Sequence, residues 1–238
     1  MFLSQLHILV FGSTLLVYNT PRIVKNVNRK LHEPRQYKNW YEFLFILGFV
    51  MVIGGLYNLP AKLQAWCVVL GIFAFAYFLP VLPFKNKKRI RDFGWLKIAV
   101  LSAVWTTATA ILPILYWQKN ITSYPFEILL RLVFIFSLCV LFDIRDIQKD
   151  LENNIYTLPN KVGLQNSYRL IHFTLLLFVM LSIVQYLRYE GLGRLAGALF
   201  TAIITGLVAN YLRKKPSDRA YAALADGVML VYAVAVML

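Results

Sequence analysis

The chain has 238 residues, of which 59% are apolar and 15% are charged, and its mean hydropathy is +0.61. Soluble domains contain about 45–50% apolar and about 25% charged residues, so this composition excludes an ordinary soluble domain. With only 12 glycines and 9 prolines a collagen-like chain is also excluded, and the apolar blocks exclude a disordered chain. The composition therefore predicts an integral membrane protein.

Apolar segments follow one another along the chain, each close to the length of about 20 residues that a membrane-spanning helix needs. There are eight of them: residues 2–19, 40–57, 65–83, 96–117, 126–142, 168–187, 191–211 and 220–238. The loops between them are too short for a second domain. We predict an all-α, polytopic transmembrane helical bundle of about eight spans, with residues 1–238 forming a single transmembrane helical domain.

The basic residues are distributed unevenly over the loops. The net charge is +14, and 20 of the 25 Lys and Arg lie in, or within two residues of, the loops that follow the first, third, fifth and seventh spans. Positively charged loops stay on the cytoplasmic side of a membrane. We therefore predict a multi-pass protein of the inner, cytoplasmic membrane with both termini outside. The basic loops are attributed to topology and to contact with anionic membrane lipid, and no nucleic-acid partner is expected.

Three aspartates lie at the cytoplasmic end of the fifth predicted span. If the helix continues past the span, Asp143, Asp146 and Asp150 fall at positions i, i+3 and i+7 and share one face. Carboxylates at this spacing repel one another unless solvent screens them or a cation binds them, and clustered oxygen ligands suit Mg²⁺. Spacing alone leaves two interpretations open: a metal site, or a solvated helix end in which Arg145 and Lys149 are local partners.

The stretch 143–163 also resembles a motif of a known family. Its pattern, Asp-x-x-Asp-x-x-x-Asp followed by Thr-Leu-Pro and then Gly163, resembles the second aspartate-rich motif of the UbiA-type membrane prenyltransferase superfamily. The segment 77–89 is similar to that family's aromatic span end and basic loop. The resemblance runs from about residue 17 to the C-terminus, and it is most specific over residues 143–163.

The resemblance implies a Mg²⁺-dependent transfer reaction. In this family, two aspartate motifs hold Mg²⁺ against an isoprenoid diphosphate, the allylic C–O bond ionises, and a lipophilic, often aromatic acceptor captures the carbocation. For this chain it implies that Asp143, Asp146 and Asp150 are the catalytic and Mg²⁺-binding residues. It also implies diphosphate contacts from a set of polar and basic residues: Asn19, Arg22, Lys25, Lys85, Lys88 and Arg89.

The chain departs from the family pattern at the first aspartate motif. Where the family reads Asn-Asp-x-x-Asp-x-x-x-Asp, Asn19 is followed by Thr20, Ile23 and Val27 at the aspartate positions. Three basic residues occur there instead at helical spacing: Arg22, Lys25 and Arg29. In one hypothesis these cations bind the diphosphate directly and the second motif keeps a single Mg²⁺. In the other, they pair with the aspartate face as a salt-bridged latch and the chain makes no product.

The leading prediction is a prenyltransferase that moves an isoprenoid group from an allylic diphosphate to a lipophilic acceptor at the cytoplasmic membrane face. The alternative is a catalytically inactive homologue that acts as a lipid-binding or structural membrane protein. A small, unrelated transporter is a third interpretation. Asp226, an ionisable residue inside the last predicted span, indicates a function but does not distinguish these classes.

Overall fold

The computed structural model describes residues 4–28, 35–78 and 90–235, and every regular element in these ranges is helical. The helices are numbered in chain order: α1 (Gln5–Asn28), α2 (Arg35–Tyr57), α3 (Ala61–Phe78), α4 (Gly94–Thr106), α5 (Leu112–Tyr116), α6 (Pro125–Arg145), α7 (Ile147–Glu152), α8 (Leu158–Val162), α9 (Leu164–Tyr189), α10 (Leu192–Lys214), α11 (Asp218–Ala220) and α12 (Asp226–Ala235). Short 3₁₀ turns cover Ile90–Asp92 and Ile121–Ser123, and π-helical turns cover Thr107–Ile111 and Tyr221–Ala225.

Five helical segments of the described chain are long and apolar enough to cross a membrane. They are Trp40–Tyr57, Gly94–Tyr116, Pro125–Arg145, Leu164–Tyr189 and Leu192–Lys214. A helix suits this role because it satisfies its backbone hydrogen bonds internally, as the hydrocarbon interior requires. Another apolar helix, Ala61–Tyr77, is shorter. The all-α transmembrane class is confirmed, and the count of eight spans stays a prediction.

The chain divides into two compact units. The first comprises Met1–Ile90 and Thr107–Ile121, and the second comprises Arg91–Thr106 and Thr122–Leu238. Within the first unit, α1 and α2 approach closely at two glycines. A Cβ atom added to Gly12 of α1 would lie only 2.9 Å from the carbonyl oxygen of Gly48 of α2. Small residues at a helix crossing allow such an approach in membrane bundles. The single domain over residues 1–238 stays a prediction.

The second unit is built around α6. Half of this helix is buried, and it packs against α4, α9 and the π-helical turn that precedes α12. Phe134 of α6, Phe178 of α9 and Tyr232 of α12 form an aromatic cluster with ring centroids 4.5–5.7 Å apart. Ser137 donates a hydrogen bond of 2.7 Å to Thr174 across the interface between α6 and α9. These contacts from several sides fix the positions of the two ends of α6.

Two backbone features direct the chain after α7. Asn154 has a positive φ of 56°, and the next residue, Ile155, donates its backbone N–H to the carbonyl of Asp150 at 2.8 Å. Gly163, between α8 and α9, has φ 84° and ψ 159°, a conformation that is strained for any residue with a side chain. The Thr-Leu-Pro pattern and its glycine therefore form the start of α8 and the turn into α9.

Gly94 permits a close approach that positions α4. Its backbone lies against the carbonyl group of Tyr156, and a methyl group at Gly94 would overlap that oxygen. Glycine permits the contact because it has no Cβ. The contact joins the start of α4 to the segment between α7 and α8. It thereby brings Lys97, one turn further along α4, to the end of α6.

Candidate functional site

The helix that carries the three aspartates is interrupted at the middle one. α6 ends at Arg145, Asp146 forms a turn with φ −91° and ψ 6°, and α7 follows. Backbone hydrogen bonds continue across the turn, because Asp146 N donates to Phe142 O at 3.1 Å and Asp150 N donates to Asp146 O at 2.9 Å. Asp143 and Asp150 therefore reach one common partner, as their spacing predicts, whereas Asp146 has a different one.

Asp143 and Asp150 meet at a lysine of α4. Lys97 Nζ lies 2.9 Å from Asp143 Oδ1 and 2.9 Å from Asp150 Oδ2. The side chains of Lys97, Asp143 and Asp150 are 11%, 4% and 12% exposed, so water screens these charges only weakly. We call these three residues the Lys97 cluster. It ties together α4, the end of α6 and the end of α7.

The Lys97 cluster contains more negative than positive charge. Two carboxylates and one ammonium group give a formal charge of −1. Asp143 Oδ2 is buried, and none of the residues that the structure describes donates a hydrogen bond to it. An unpaired buried carboxylate oxygen lowers stability, and proteins retain such groups chiefly at functional sites. The charge imbalance therefore marks this end of α6 as the candidate site.

Asp146 belongs to a second arrangement. Arg145 donates two hydrogen bonds of 3.0 Å to its carboxylate, Nε to Oδ1 and Nη2 to Oδ2. Lys149 Nζ is 3.9 Å from Asp146 Oδ1 and 3.7 Å from Asp218 Oδ2. Burial raises the pKa of Asp146, but the hydrogen bonds and charge of Arg145 outweigh it, so the pKa lies below its usual value. Asp146 is thus an ionised carboxylate with local partners.

The described carboxylates do not fit a Mg²⁺ ion in this arrangement. Over residues 4–28, 35–78 and 90–235, no three His, Cys, Asp or Glu side chains lie close enough together to hold a metal. A Mg²⁺ ion at about 2.1 Å from either oxygen that Lys97 contacts would lie within about 5 Å of its ammonium nitrogen. At an effective dielectric constant of about 20, that repulsion is about 7 kcal/mol, and it offsets part of the attraction of the carboxylates for the ion. Lys97 also occupies the two carboxylate oxygens through which one Mg²⁺ would bridge Asp143 and Asp150, so full binding at these oxygens requires Lys97 to move away.

The predicted diphosphate contacts lie elsewhere in the chain. The side chains of five of them lie outside the described part: Arg22, Lys25, Lys85, Lys88 and Arg89. The same is true of Arg29, the further basic residue of the predicted latch. Asn19 is buried on α1 in the first unit, and its Nδ2 donates to Leu15 O at 2.8 Å. The role of each of these residues at a diphosphate stays a prediction.

Lys97 is the site residue that the sequence motifs do not reveal. Charge counting groups it with the basic loops, although it lies inside the predicted span 96–117. An ionisable side chain within an apolar segment is the signal that would identify it. Asp226 carries the same signal in the sequence, but it is exposed at the start of α12 and is not part of the Lys97 cluster.

Comparisons with known proteins place the chain in a family. A family model described as the UbiA prenyltransferase family matches residues 27–233. A search of curated proteins finds no match. Among solved structures, the chain is similar to a digeranylgeranylglyceryl phosphate synthase, with 17% sequence identity and a TM-score of 0.49 over 98% of this chain and 85% of that chain. The chain, whose described part contains five apolar helices of spanning length, is a multi-pass integral membrane protein and belongs to the UbiA prenyltransferase family.

Proposed function

We propose that the chain transfers an isoprenoid group from an allylic diphosphate to a lipophilic acceptor, with aromatic compounds as the first candidates. The observation that carries the proposal is the Lys97 cluster at the end of a span-length helix. Buried charged groups are costly to maintain in a membrane protein, and they are typical of functional sites. An isoprenoid diphosphate suits such a place, because its chain is apolar and its headgroup is anionic.

The reaction requires charge stabilisation from the protein and no covalent intermediate with it. The allylic C–O bond breaks, its electron pair leaves with the diphosphate, and an allylic carbocation remains. A carbon atom of the acceptor then donates an electron pair to the cation, forms the new C–C bond and loses a proton. Positive groups preorganised around the leaving diphosphate lower the barrier to the first step.

Each aspartate of the second motif holds a positive side chain in place. Asp143 and Asp150 hold Lys97, and Asp146 holds Arg145. Contacts to the diphosphate are proposed for the residues that the family resemblance selects: Asn19, Arg22, Lys25, Lys85, Lys88 and Arg89. In the family reaction, Mg²⁺ supplies further positive charge at the leaving group. The Lys97 cluster, with Lys97 in place, does not fit the ion, so the positive charge proposed at this end of α6 comes from side chains.

The site is proposed to face the cytoplasm, with both termini outside the inner membrane and residues 1–238 acting as one transmembrane domain. The uneven distribution of Lys and Arg over alternate loops supports this orientation. The end of α6 leads into one of the basic loops, so the site is proposed to lie on the cytoplasmic side with that loop. An anionic headgroup is attracted to that side.

The test is turnover by the purified full-length chain in liposomes. Allylic diphosphates of several chain lengths are supplied with phenolic and quinol acceptors, and released diphosphate and prenylated product are both quantified. We expect the two in equal amounts. Asp143→Asn keeps the shape of the side chain but removes the charge that holds Lys97, and we expect it to lower turnover by about 100-fold or more.

Asp218→Asn is the matched control for that variant. The side chain of Asp218 is 77% exposed, and its Oδ2 lies 3.7 Å from Nζ of Lys149, whose side chain is 65% exposed. Its replacement is expected to leave turnover within about twofold of the wild type. A wild-type chain that releases no diphosphate from any donor would contradict the proposal, and it would support the inactive, lipid-binding or structural homologue instead.

A further inference from the structure

We propose that the Lys97 ammonium group takes the place of a metal ion, bridging Asp143 and Asp150 to the leaving diphosphate. The contact with diphosphate rests on the proposed function. The exclusion of a divalent cation from the Lys97 cluster does not, because it follows from the ion pairs alone. The two parts therefore have separate tests.

Lys97 occupies the position of a bridging cation. Its Nζ is 2.9 Å from one oxygen of each aspartate, and these aspartates come from two successive helices, α6 and α7. An ammonium group has three N–H donors and no acceptor. Asp143 and Asp150 take two of the donors. The third is the donor that we assign to an oxygen of the diphosphate.

The fold holds Lys97 in this position. The side chain is 11% exposed, and α4 packs along α6. The contact between Gly94 and the Tyr156 carbonyl fixes the first turn of α4. Withdrawal of Lys97 alone would leave two buried carboxylates without a cation, which is strongly unfavourable, so a divalent ion gains access only by replacing the lysine. A divalent ion must therefore displace an anchored lysine before it can bind both aspartates.

The first aspartate motif also differs from the family pattern in a way that disfavours a metal ion. Its three carboxylate positions are occupied by uncharged residues: Thr20, Ile23 and Val27. Basic residues stand beside these positions: Arg22, Lys25 and Arg29. One motif has thus lost the carboxylates that would hold a metal, and in the other motif a lysine binds them. Both differences replace the positive charge of a metal with the positive charge of side chains.

The ionisation step then needs no metal within the Lys97 cluster, and because that cluster carries a formal charge of −1, the basic residues proposed at the diphosphate supply the remaining positive charge. A Lys97 N–H donates a hydrogen bond to the diphosphate, the electron pair of the C–O bond moves onto that group, and the ammonium stabilises the developing negative charge. Lys97 keeps its proton throughout, so no atom is transferred to or from the protein. Asp143 and Asp150 contact the lysine and not the substrate, which makes them positioning residues.

The first test measures metal binding to the full-length protein in detergent without substrate. Mn²⁺ is the probe, because its electron paramagnetic resonance signal decreases when the ion binds to protein. We expect no stoichiometric binding by the wild type. Lys97→Met removes the charge and keeps most of the side-chain length. It is expected to bind Mn²⁺ and to melt about 5 °C higher when Mg²⁺ is added.

A double variant, Lys97→Met with Asp143→Asn, is the matched control. It retains the formal charge of −1 of the wild-type cluster but has lost one carboxylate, so we expect it to bind no Mn²⁺. If Lys97→Met does not fold, the wild-type titration decides alone. Stoichiometric Mn²⁺ binding by the wild type that disappears in Asp143→Asn would overturn the proposal.

The second test uses inorganic diphosphate in the presence of EDTA. We expect diphosphate to raise the melting temperature of the wild type, Lys97→Arg to retain part of this rise, and Lys97→Met to lose it. A wild type that responds to diphosphate only after Mg²⁺ is added would overturn the bridging role. Binding through Lys97 without any prenylated product would overturn the proposed function and support the role of Lys97.

Discussion

The two ends of α6 both carry polar groups in an apolar helix, but the charges are arranged differently. Near the amino end, Glu127 Oε1 accepts a hydrogen bond of 2.8 Å from Gln185 and lies 3.4 Å from Arg194 Nη1. At the carboxyl end, Asp143 and Asp150 share Lys97 at 2.9 Å each. The group that Glu127, Gln185 and Arg194 form thus has one anion, one cation and a neutral amide. The carboxyl end has two anions and one cation.

Burial makes this difference in charge important. The side chains of Glu127 and Arg194 are 28% and 47% exposed, so water reduces the cost of their charges. The Lys97 cluster is far less exposed, and Asp143 Oδ2 has no hydrogen-bond partner in the described part of the chain. Stability alone accounts for a balanced, half-exposed group such as that at the amino end. A buried group with excess charge is better explained by function than by stability.

Among the variants that test this comparison, replacement of Lys97 is expected to have the largest effect on the stability of the protein. Lys97→Met leaves two buried carboxylates without their cation, and we predict a loss of about 3–5 kcal/mol of unfolding free energy. The measurement is denaturant unfolding of the purified protein in mixed micelles. Lys149→Met is the control, since Lys149 is 65% exposed and its replacement should cost less than about 1 kcal/mol. Equal effects of the two variants would remove the distinction between a buried and a solvated lysine.

The next largest effect is expected from the residue that positions α4. Gly94→Ala introduces a methyl group that overlaps the carbonyl oxygen of Tyr156, so α4 must shift and carry Lys97 with it. We predict a loss of about 1–3 kcal/mol of unfolding free energy. Gly206→Ala is the control. Its new methyl group would lie 4.0 Å from the nearest atom, a methyl carbon of Leu175, so we expect the stability of the protein to be unchanged or slightly higher. A Gly94→Ala protein as stable as the wild type would show that the contact does not fix α4.

Local sequence patterns predict much of this architecture but only part of the site. Apolar blocks of spanning length identify the long helices, because hydropathy is a property of each segment alone. The spacing of Asp143 and Asp150 correctly places them towards a common partner. The identity of that partner could not be read from spacing, because Lys97 is 53 residues away from Asp150 in the chain and only packing of α4 on α6 brings them together.

The partners of Asp146, Arg145 and Lys149, are those named by the second interpretation of the sequence, but the turn that brings Arg145 to it was not predicted. A continuous helix through this position predicts three carboxylates on one face, whereas the hydrogen bonds from Arg145 draw Asp146 to a separate partner. Adjacent residues on a regular helix do not face each other, so helical spacing gives no reason to pair them. The turn between α6 and α7 makes the pairing possible.

A smaller effect is expected at the amino end of α6. Gln185→Leu removes the amide donor to Glu127 but leaves the contact with Arg194 in place. We predict a loss of about 1 kcal/mol of unfolding free energy and unchanged prenyl transfer, since this group is remote in the chain from the Lys97 cluster. Unfolding in micelles and the liposome turnover assay measure the two quantities. A large loss of turnover in Gln185→Leu would mean that both ends of α6 serve the reaction.

The smallest expected effect is the pH dependence that Asp146 contributes. Its pKa in the folded protein lies below the usual value of about 3.9, so its contribution is complete above that pH and is lost as the pH falls through the lowered value. Asp146→Asn should therefore lower the melting temperature at neutral pH, and its difference from the wild type should shrink as the pH falls through the lowered pKa. Melting temperatures measured from neutral pH into acid check this. An unchanged acid profile would show that Arg145 does not stabilise the ionised form of Asp146.

The most direct test of the central claim is a structure determined with Mn²⁺ and a non-hydrolysable allylic diphosphate, in which anomalous scattering locates the metal. We predict Lys97 Nζ between the carboxylates of Asp143 and Asp150 and in contact with a diphosphate oxygen, with no anomalous peak within bonding distance of either aspartate. A Mn²⁺ peak bonded to both aspartates, with Lys97 displaced from them, would contradict the claim.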